Sequence, residues 1–163
     1  MEKTIYFAGG CFWGVQEYFS RLKGVLNTTA GYANGTTAFP TYEEVKSQKT
    51  GHAETVKIEY DDEIITLEKL LEHYLRFVDP YSVNKQGEDE GSQYRSGVYY
   101  VDLLDAITAR SYFSSNLKHG YKIEIAKLNN FFKAEEYHQD YLKKNPTGYC
   151  HINLSVIKDD EKK

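Results

Sequence analysis

The 163-residue sequence is poor in the features that mark several protein classes. It has only two cysteines, Cys11 and Cys150. Two thiols so far apart do not make the disulfide framework of a small secreted scaffold. No apolar run approaches the length of a membrane span, and the start, MEKTIYFAGG, lacks the apolar core of a signal peptide. Positive charge is not in excess. The formal charge is -4 and the pI near 5.7, which argues against nucleic acid or an anionic membrane as the main partner. His119, His138 and His151 make no zinc pattern with the cysteines, and GEDEG fits no calcium loop, so no metal is expected. There is no internal repeat. Only the charged tail, residues 158–163 (KDDEKK), is low in complexity, and it is expected to be frayed. These bounds predict one soluble, cytoplasmic domain over residues 1–157, followed by a disordered tail.

What the sequence does have is tyrosine, fifteen of them, and a clear alternation of strand and helix patterns. TIYFAG reads as a short buried strand. Phe12, Val15, Phe19 and Leu22 then fall on one helical stripe, so a helix is predicted to begin at or just after Cys11. Trp13 lies off that stripe. GVLNTTAGY reads as a strand and ANGTTAFPTYEEVKSQKTG as a loop. In HAETVKIEYDD, His52, Glu54, Val56, Ile58 and Tyr60 share one strand face. An amphipathic helix follows over Leu67 to Val78, then the long polar loop DPYSVNKQGEDEGSQYR. SGVYYV is a strand, DLLDAITARSYFSSNLKHG a helix that Gly120 would cap, and YKIEIAKL a strand. Ala134, Tyr137, Tyr141 and Leu142 mark a last helix ended by Pro146. The β-α-β-β-α-β order predicts an α+β fold, a single-domain two-layer sandwich. Its core would be a mixed sheet of split β-α-β, ferredoxin-like order with helices packed on it.

FAGGCFWGVQ raises the chemical question. A thiol at a strand-to-helix junction meets free N–H groups and the positive end of the helix dipole, both of which favour the nucleophilic thiolate. The bland alternative is a small buried cysteine, which is common; the glycine frame and Trp13 tilt the reading toward function. Trp13 is either exposed or lines a cavity beside the thiol, whereas Phe12 reads first as core. Glu54 is either buried, with a raised pKa suited to an acid, or a strand-end residue reaching water. His52 reads as structural or rim. Tyr42 and Tyr94 lie in the two long loops, where hydroxyls could meet a shared site or simply pack. Cys150, in NPTGYCHIN, could close a disulfide with an oxidised Cys11 or be an inert thiol. The lysines and acids around KAEEYHQDYLKK read as a solvated helix face.

GGCFWG, GYANG, PTYEEV, TGHAETVKIEYD, NKQGEDEGSQYRSGVYY and AEEYHQDYLKKNPTGYCHI, in that order, resemble the peptide-methionine (S)-sulfoxide reductase family. The resemblance spans nearly the whole chain. It implies that Cys11 attacks the sulfoxide sulfur, that Phe12 and Trp13 receive the ε-methyl group, and that Glu54 protonates the sulfoxide oxygen. It further implies that Tyr42 and Tyr94 hydrogen-bond that oxygen and that Asp89 helps hold the substrate. Cys150 would resolve the resulting sulfenic acid as a disulfide that thioredoxin reduces, with no cofactor and with the enzyme acting as a monomer. Tyr81 stands where the family commonly has threonine. VNKQGEDEG and GYCHI are similar to members fused to a second reductase domain, so the resemblance allows either a free enzyme or one domain of a fusion. Two other readings compete. A thiol peroxidase would leave Glu54 and Trp13 without a role, and a binding module for methionine-containing peptides would turn nothing over.

Overall fold

A computed structural model describes all 163 residues. The first strand, β1 (Glu2–Gly9), runs into a turn at Gly10 whose φ of +92° is a left-handed conformation that glycine adopts without cost. Helix α1 (Phe12–Ser20) starts directly after Cys11, as its stripe predicts, and buries Phe12, Val15 and Phe19 against the sheet. Strand β2 (Val25–Ala33), the short helix α2 (Tyr42–Lys46) and strand β3 (Ala53–Asp61) follow. Helix α3 (Leu67–Phe77) lays Leu70, Leu71 and Tyr74 on the same core. The polar loop is not featureless. It holds a two-stranded ribbon, β4 (Lys85–Gln86) with β5 (Asp89–Glu90), and a 3₁₀ turn at Ser92–Tyr94. Strand β6 (Ser96–Tyr100), helix α4 (Leu103–Asn116), and strands β7 (Glu124–Lys127) and β8 (Phe131–Lys133) complete the sheet, and helix α5 (Tyr141–Lys144) follows.

The six-stranded sheet has the order β7-β6-β1-β3-β2-β8 and is antiparallel except for the β6–β7 pair. Its inner four strands have the expected split β-α-β order, with α1 and α3 on the face that holds Ile5, Phe7, Val56 and Ile58. A smaller apolar cluster of Tyr6, Ala8, Ala33, Ala53 and Tyr99 covers the opposite face. Each fully buried aromatic side chain contributes roughly 2–3 kcal/mol of transfer free energy, so the helix face supplies most of the stabilisation.

Four expectations are corrected. Gly120 has a φ of +93° but does not cap α4, which ends at Leu117 in an extended conformation. The loop after β2 contains α2, held by a capping box in which the Thr41 Oγ1 accepts the Glu44 N–H and the Glu44 carboxylate accepts the Thr41 N–H. The helix expected over Ala134 to Leu142 is broken: a 3₁₀ turn at Glu136–His138 and the short α5 are separated by Asp140 at a left-handed φ of +51°. The tail is packed rather than frayed. Lys23 N–H donates to the Glu161 carbonyl at 2.9 Å, Lys163 N–H to the Arg21 carbonyl at 3.0 Å, and Arg76 holds both Glu161 oxygens at 2.7 and 2.8 Å. Six consecutive charged residues concealed a paired strip beside residues 21–23.

Candidate active site

Cys11 is the residue before α1 and is 7 % exposed. The first helical N–H, that of Phe12, would have no partner within the helix. Here it donates to Glu54 Oε1 at 3.2 Å, which brings the carboxyl from β3 against the start of α1. Glu54 is 1 % exposed, which decides between the two readings of its strand face. Burial pushes its pKa up to about 8; the Phe12 N–H opposes this and the charge of Asp89 adds to it. Glu54 is therefore a neutral acid at pH 7.

Cys11 does not behave as its place at a helix start suggests. Burial lifts the thiol well above its ordinary value, and the nearby Glu54 and Asp89 carboxyls lift it further. The Trp13 N–H favours the thiolate but is outweighed. The resting residue is a thiol, and its ionisation is easiest while Glu54 keeps its proton.

Tyr42 and Tyr94 come together over this pair. The Tyr42 hydroxyl is pushed up to about 12 by burial and by the charges of Glu54 and Cys11, and the Tyr94 hydroxyl beside it counters part of that rise. Burial and the same two groups raise Tyr94. Both tyrosines are proton donors at any physiological pH. Tyr42 opens α2, and its N–H donates to Glu135 Oε2 at 2.8 Å, while Glu135 Oε1 accepts the Tyr32 hydroxyl at 2.7 Å.

Phe12 lies 5.7 Å from Tyr32 and 6.5 Å from Tyr42 between ring centroids, so it serves the core and the edge of the site together. Trp13 is half-buried. Its indole stacks on Tyr141 at 3.7 Å, nearly parallel at 9°, and its Nε1 donates to His138 Nδ1 at 2.9 Å. His138 is thus a neutral tautomer carrying its proton on Nε2, which is buried without a protein partner; burial lowers its pKa. The lysines and acids of this segment are exposed or half-buried, as a solvated face requires, but residues between them turn inward. His138 and Gln139 are buried, and Gln139 bonds both the N–H and the carbonyl of Ala30 at 2.9 and 2.8 Å. The helical pattern hid this because the left-handed Asp140 changes which side chains point inward. His52, expected to be structural, accepts the Gly35 N–H at 3.1 Å and donates to the Thr37 carbonyl at 2.8 Å.

Asp89 sits on β5, half-buried, and accepts the Tyr149 hydroxyl at 2.9 Å. That bond ties the ribbon to the segment that carries Cys150. The Cys150 thiol donates to the Ile152 carbonyl at 3.3 Å and packs over Gly14, one turn from Cys11. A Cβ at Gly14 would stand 3.0 Å from Cys150 Sγ, so the helical glycine makes room for the second sulfur. His151 anchors the same segment by donating from Nε2 to the Gly9 carbonyl at 2.9 Å. Both cysteines are free thiols. All eight residues singled out in the sequence therefore meet around the start of α1. The residues that sequence reasoning missed are His138, Tyr141, Glu135, Tyr149 and His151. Their only signal was the run of polar and aromatic residues in EEYHQDY and GYCHI. The arrangement can hold a small polar oxygen between tyrosine hydroxyls and a neutral carboxyl, place an apolar group against aromatic rings, and offer a thiol to the atom between them.

Comparison with known proteins bears on that chemistry. A model of the peptide methionine sulfoxide reductase family matches residues 3–163. The peptide methionine sulfoxide reductase MsrA of Ureaplasma urealyticum is 52 % identical over 161 residues, covering 97 % of this chain and 98 % of that one. The crystal structure of Mxr1 from Saccharomyces cerevisiae in reduced form is 32 % identical with a TM-score of 0.85, over 94 % of this chain and 92 % of that one. Mxr1 in complex with Trx2, at 22 % identity and a TM-score of 0.58 over 86 % of this chain and 84 % of that one, shares the fold.

Proposed function

The chain belongs to the peptide methionine sulfoxide reductase family, and on that premise we propose how its residues divide the thiol-dependent reduction of methionine sulfoxide. Phe12 and Trp13 receive the ε-methyl group, and Tyr42, Tyr94 and Glu54 surround the sulfoxide oxygen. Asp89 holds the polar part of the substrate. Glu54 delivers its proton to the oxygen, because an oxide leaves sulfur only once protonated. Cys11 Sγ bonds to the sulfoxide sulfur, and its proton goes with the protonated oxygen, which leaves that sulfur as water. A water then attacks Cys11 Sγ, methionine departs with the electron pair of the S–S bond, the released proton returns to Glu54, and Cys11 is left as a sulfenic acid.

Cys150 then attacks Cys11 Sγ, water leaves, and a Cys11–Cys150 disulfide forms; its thiol already rests over Gly14 on the first turn of α1. An external dithiol returns both cysteines to thiols, so each sulfoxide consumes two electrons. Thioredoxin is the reductant we assign, since the product is a disulfide whose Cys150 sulfur is only half-buried and Mxr1 has been crystallised with Trx2. No metal or other cofactor is required by this balance. Two cysteines far apart in sequence make no secreted disulfide framework, so we place the enzyme in the cytoplasm, acting as a monomer in the repair of oxidised proteins and of free methionine sulfoxide. No helix is long and apolar enough to cross a membrane.

The observation that carries the reading is Glu54, fully buried, neutral at pH 7 and bonded to the N–H next to Cys11. A fixed methyl slot and a fixed oxygen site together accept one configuration at sulfur. Incubation with a racemic peptide sulfoxide and dithiothreitol, followed by chromatography of each epimer, should consume the S epimer alone. Equal consumption of both epimers would show that the methyl and oxygen sites are not separate.

A further inference from the structure

The sheet ends in an unpaired edge on the face that carries Glu54. Glu54 on β3, Tyr32 on β2 and Phe132 on β8 lie directly opposite one another in consecutive antiparallel pairs. Their side chains stand in one row across that face. With neighbouring strands about 4.8 Å apart, β8 lies roughly 10 Å from the Glu54 strand. It is the last strand of the sheet. Asn34 N–H donates to the Asn130 carbonyl at 3.2 Å and Ala134 N–H to the Ala30 carbonyl at 2.9 Å. Both bonds share the register that pairs Tyr32 with Phe132, so the even-numbered residues here bond to β2. The backbone N–H and C=O groups of Phe131 and Lys133 consequently face away from the sheet, and no strand takes them.

A groove of about 390 Å³ runs between this edge and the turn at Phe39 to Thr41. Phe39 is 83 % exposed, has a left-handed φ of +46° and holds its ring 5.1 Å from that of Phe132. A bulky residue takes that backbone conformation only at a cost, and it exposes a large apolar ring as well. One side chain joins the groove to the reducing centre. Glu135 lines the groove and also accepts the Tyr42 N–H and the Tyr32 hydroxyl.

We propose that the free edge of β8 and this groove bind the polypeptide on one side of the substrate sulfoxide. The peptide adds to β8 as an extended strand and seats one apolar side chain between Phe39 and Phe132. The inference rests on the reading of the centre as a methionine sulfoxide site, and it supplies a contact that the free amino acid cannot make. Backbone pairing is indifferent to sequence, which suits an enzyme whose substrate is any oxidised polypeptide. At about 3.3 Å per extended residue, the paired segment would begin roughly three or four residues from the sulfoxide.

The test uses dithiothreitol as reductant, so that no protein reductant competes for the edge. KM and kcat are compared for free methionine sulfoxide and for a peptide of about ten residues with one central sulfoxide. The variants are Phe39→Ser and Lys133→Pro. Proline at an outward-facing N–H leaves the β2–β8 ladder intact and blocks a further strand. Both variants should raise the peptide KM by about fivefold or more, while both constants for the free sulfoxide stay within about twofold. An unchanged peptide KM in Phe39→Ser would overturn the proposal. Equal losses on the two substrates would overturn it as well, because they would place these residues at the reacting atoms. Absence of turnover by the wild type on either substrate would remove the reading of the centre, and this proposal with it.

Discussion

Glu54 keeps its proton because burial leaves the carboxylate no water and only one N–H to solvate it. That has a consequence for stability as well as for chemistry. A carboxyl whose pKa rises from 4.5 to about 8 on folding binds its proton more tightly in the folded state. Its contribution is present in full below the unfolded value and is lost as pH climbs through the folded one. Glu54→Gln has no proton to lose. Urea denaturation should find the variant close to the wild type at pH 4 and more stable above pH 8, by a few kcal/mol at about 1.36 kcal/mol per pKa unit. Parallel stability curves across that range would mean that Glu54 is solvated. The same burial explains why Cys11, although it begins a helix, rests as a thiol.

The element that organises the site is α1, whose first turn carries Cys11, Phe12 and Trp13 and whose Gly14 receives the Cys150 sulfur. Glycine inside a helix costs about 1 kcal/mol against alanine, so this position gives up helix stability for a close approach. Gly14→Ala places a Cβ 3.0 Å from Cys150 Sγ and 3.3 Å from Ile152 Cδ1. The first turnover should keep its rate, whereas disulfide closure should slow by about tenfold or more, because a small displacement disturbs the attack geometry. Quenched-flow trapping of the Cys11 sulfenic acid would follow this, and an unaltered disulfide rate would separate Gly14 from the resolving step. At this scale the sequence was informative where periodicity and position act alone. The alternation of β3 put Glu54 on the face of Val56 and Ile58, and the stripe of Phe12, Val15 and Phe19 located the start of α1. It was silent where one residue breaks the period. Asp140 in the left-handed region turns His138 inward to hold Trp13, and no helical wheel contains that bend. β8, three residues long, is too short to show alternation.

At the scale of the molecule, the C-terminal segment both carries Cys150 and is pinned at its far end. Arg76 on α3 holds Glu161 through two hydrogen bonds, and Lys69 stands 3.3 Å from the same carboxylate. These cations keep the Glu161 carboxyl well below the usual carboxylate range. A group whose pKa is lowered by folding stabilises above its unfolded value, and that contribution is lost as pH falls through the folded value. Glu161→Gln should therefore cost about 2 kcal/mol in chemical denaturation at pH 7 and progressively less below pH 4. An equal loss at both pH values would assign the effect to packing. Little of this was legible in KDDEKK, where charge density reads as solvation unless the partner helix is known. The segment is thus held at Tyr149, His151 and Glu161, while the sheet and α1 keep Cys11 and Glu54 in register. The proposed reaction turns on one proton, the one that Glu54 would give to the sulfoxide oxygen. The most direct test is the pH dependence of methionine formation in a single turnover, for the wild type and for Glu54→Gln. The wild-type rate should fall as pH rises through about 8, and the variant should be slower by about 10²–10⁴ and lack that fall. A variant that matches the wild type in rate and profile would show that the proton comes from another group.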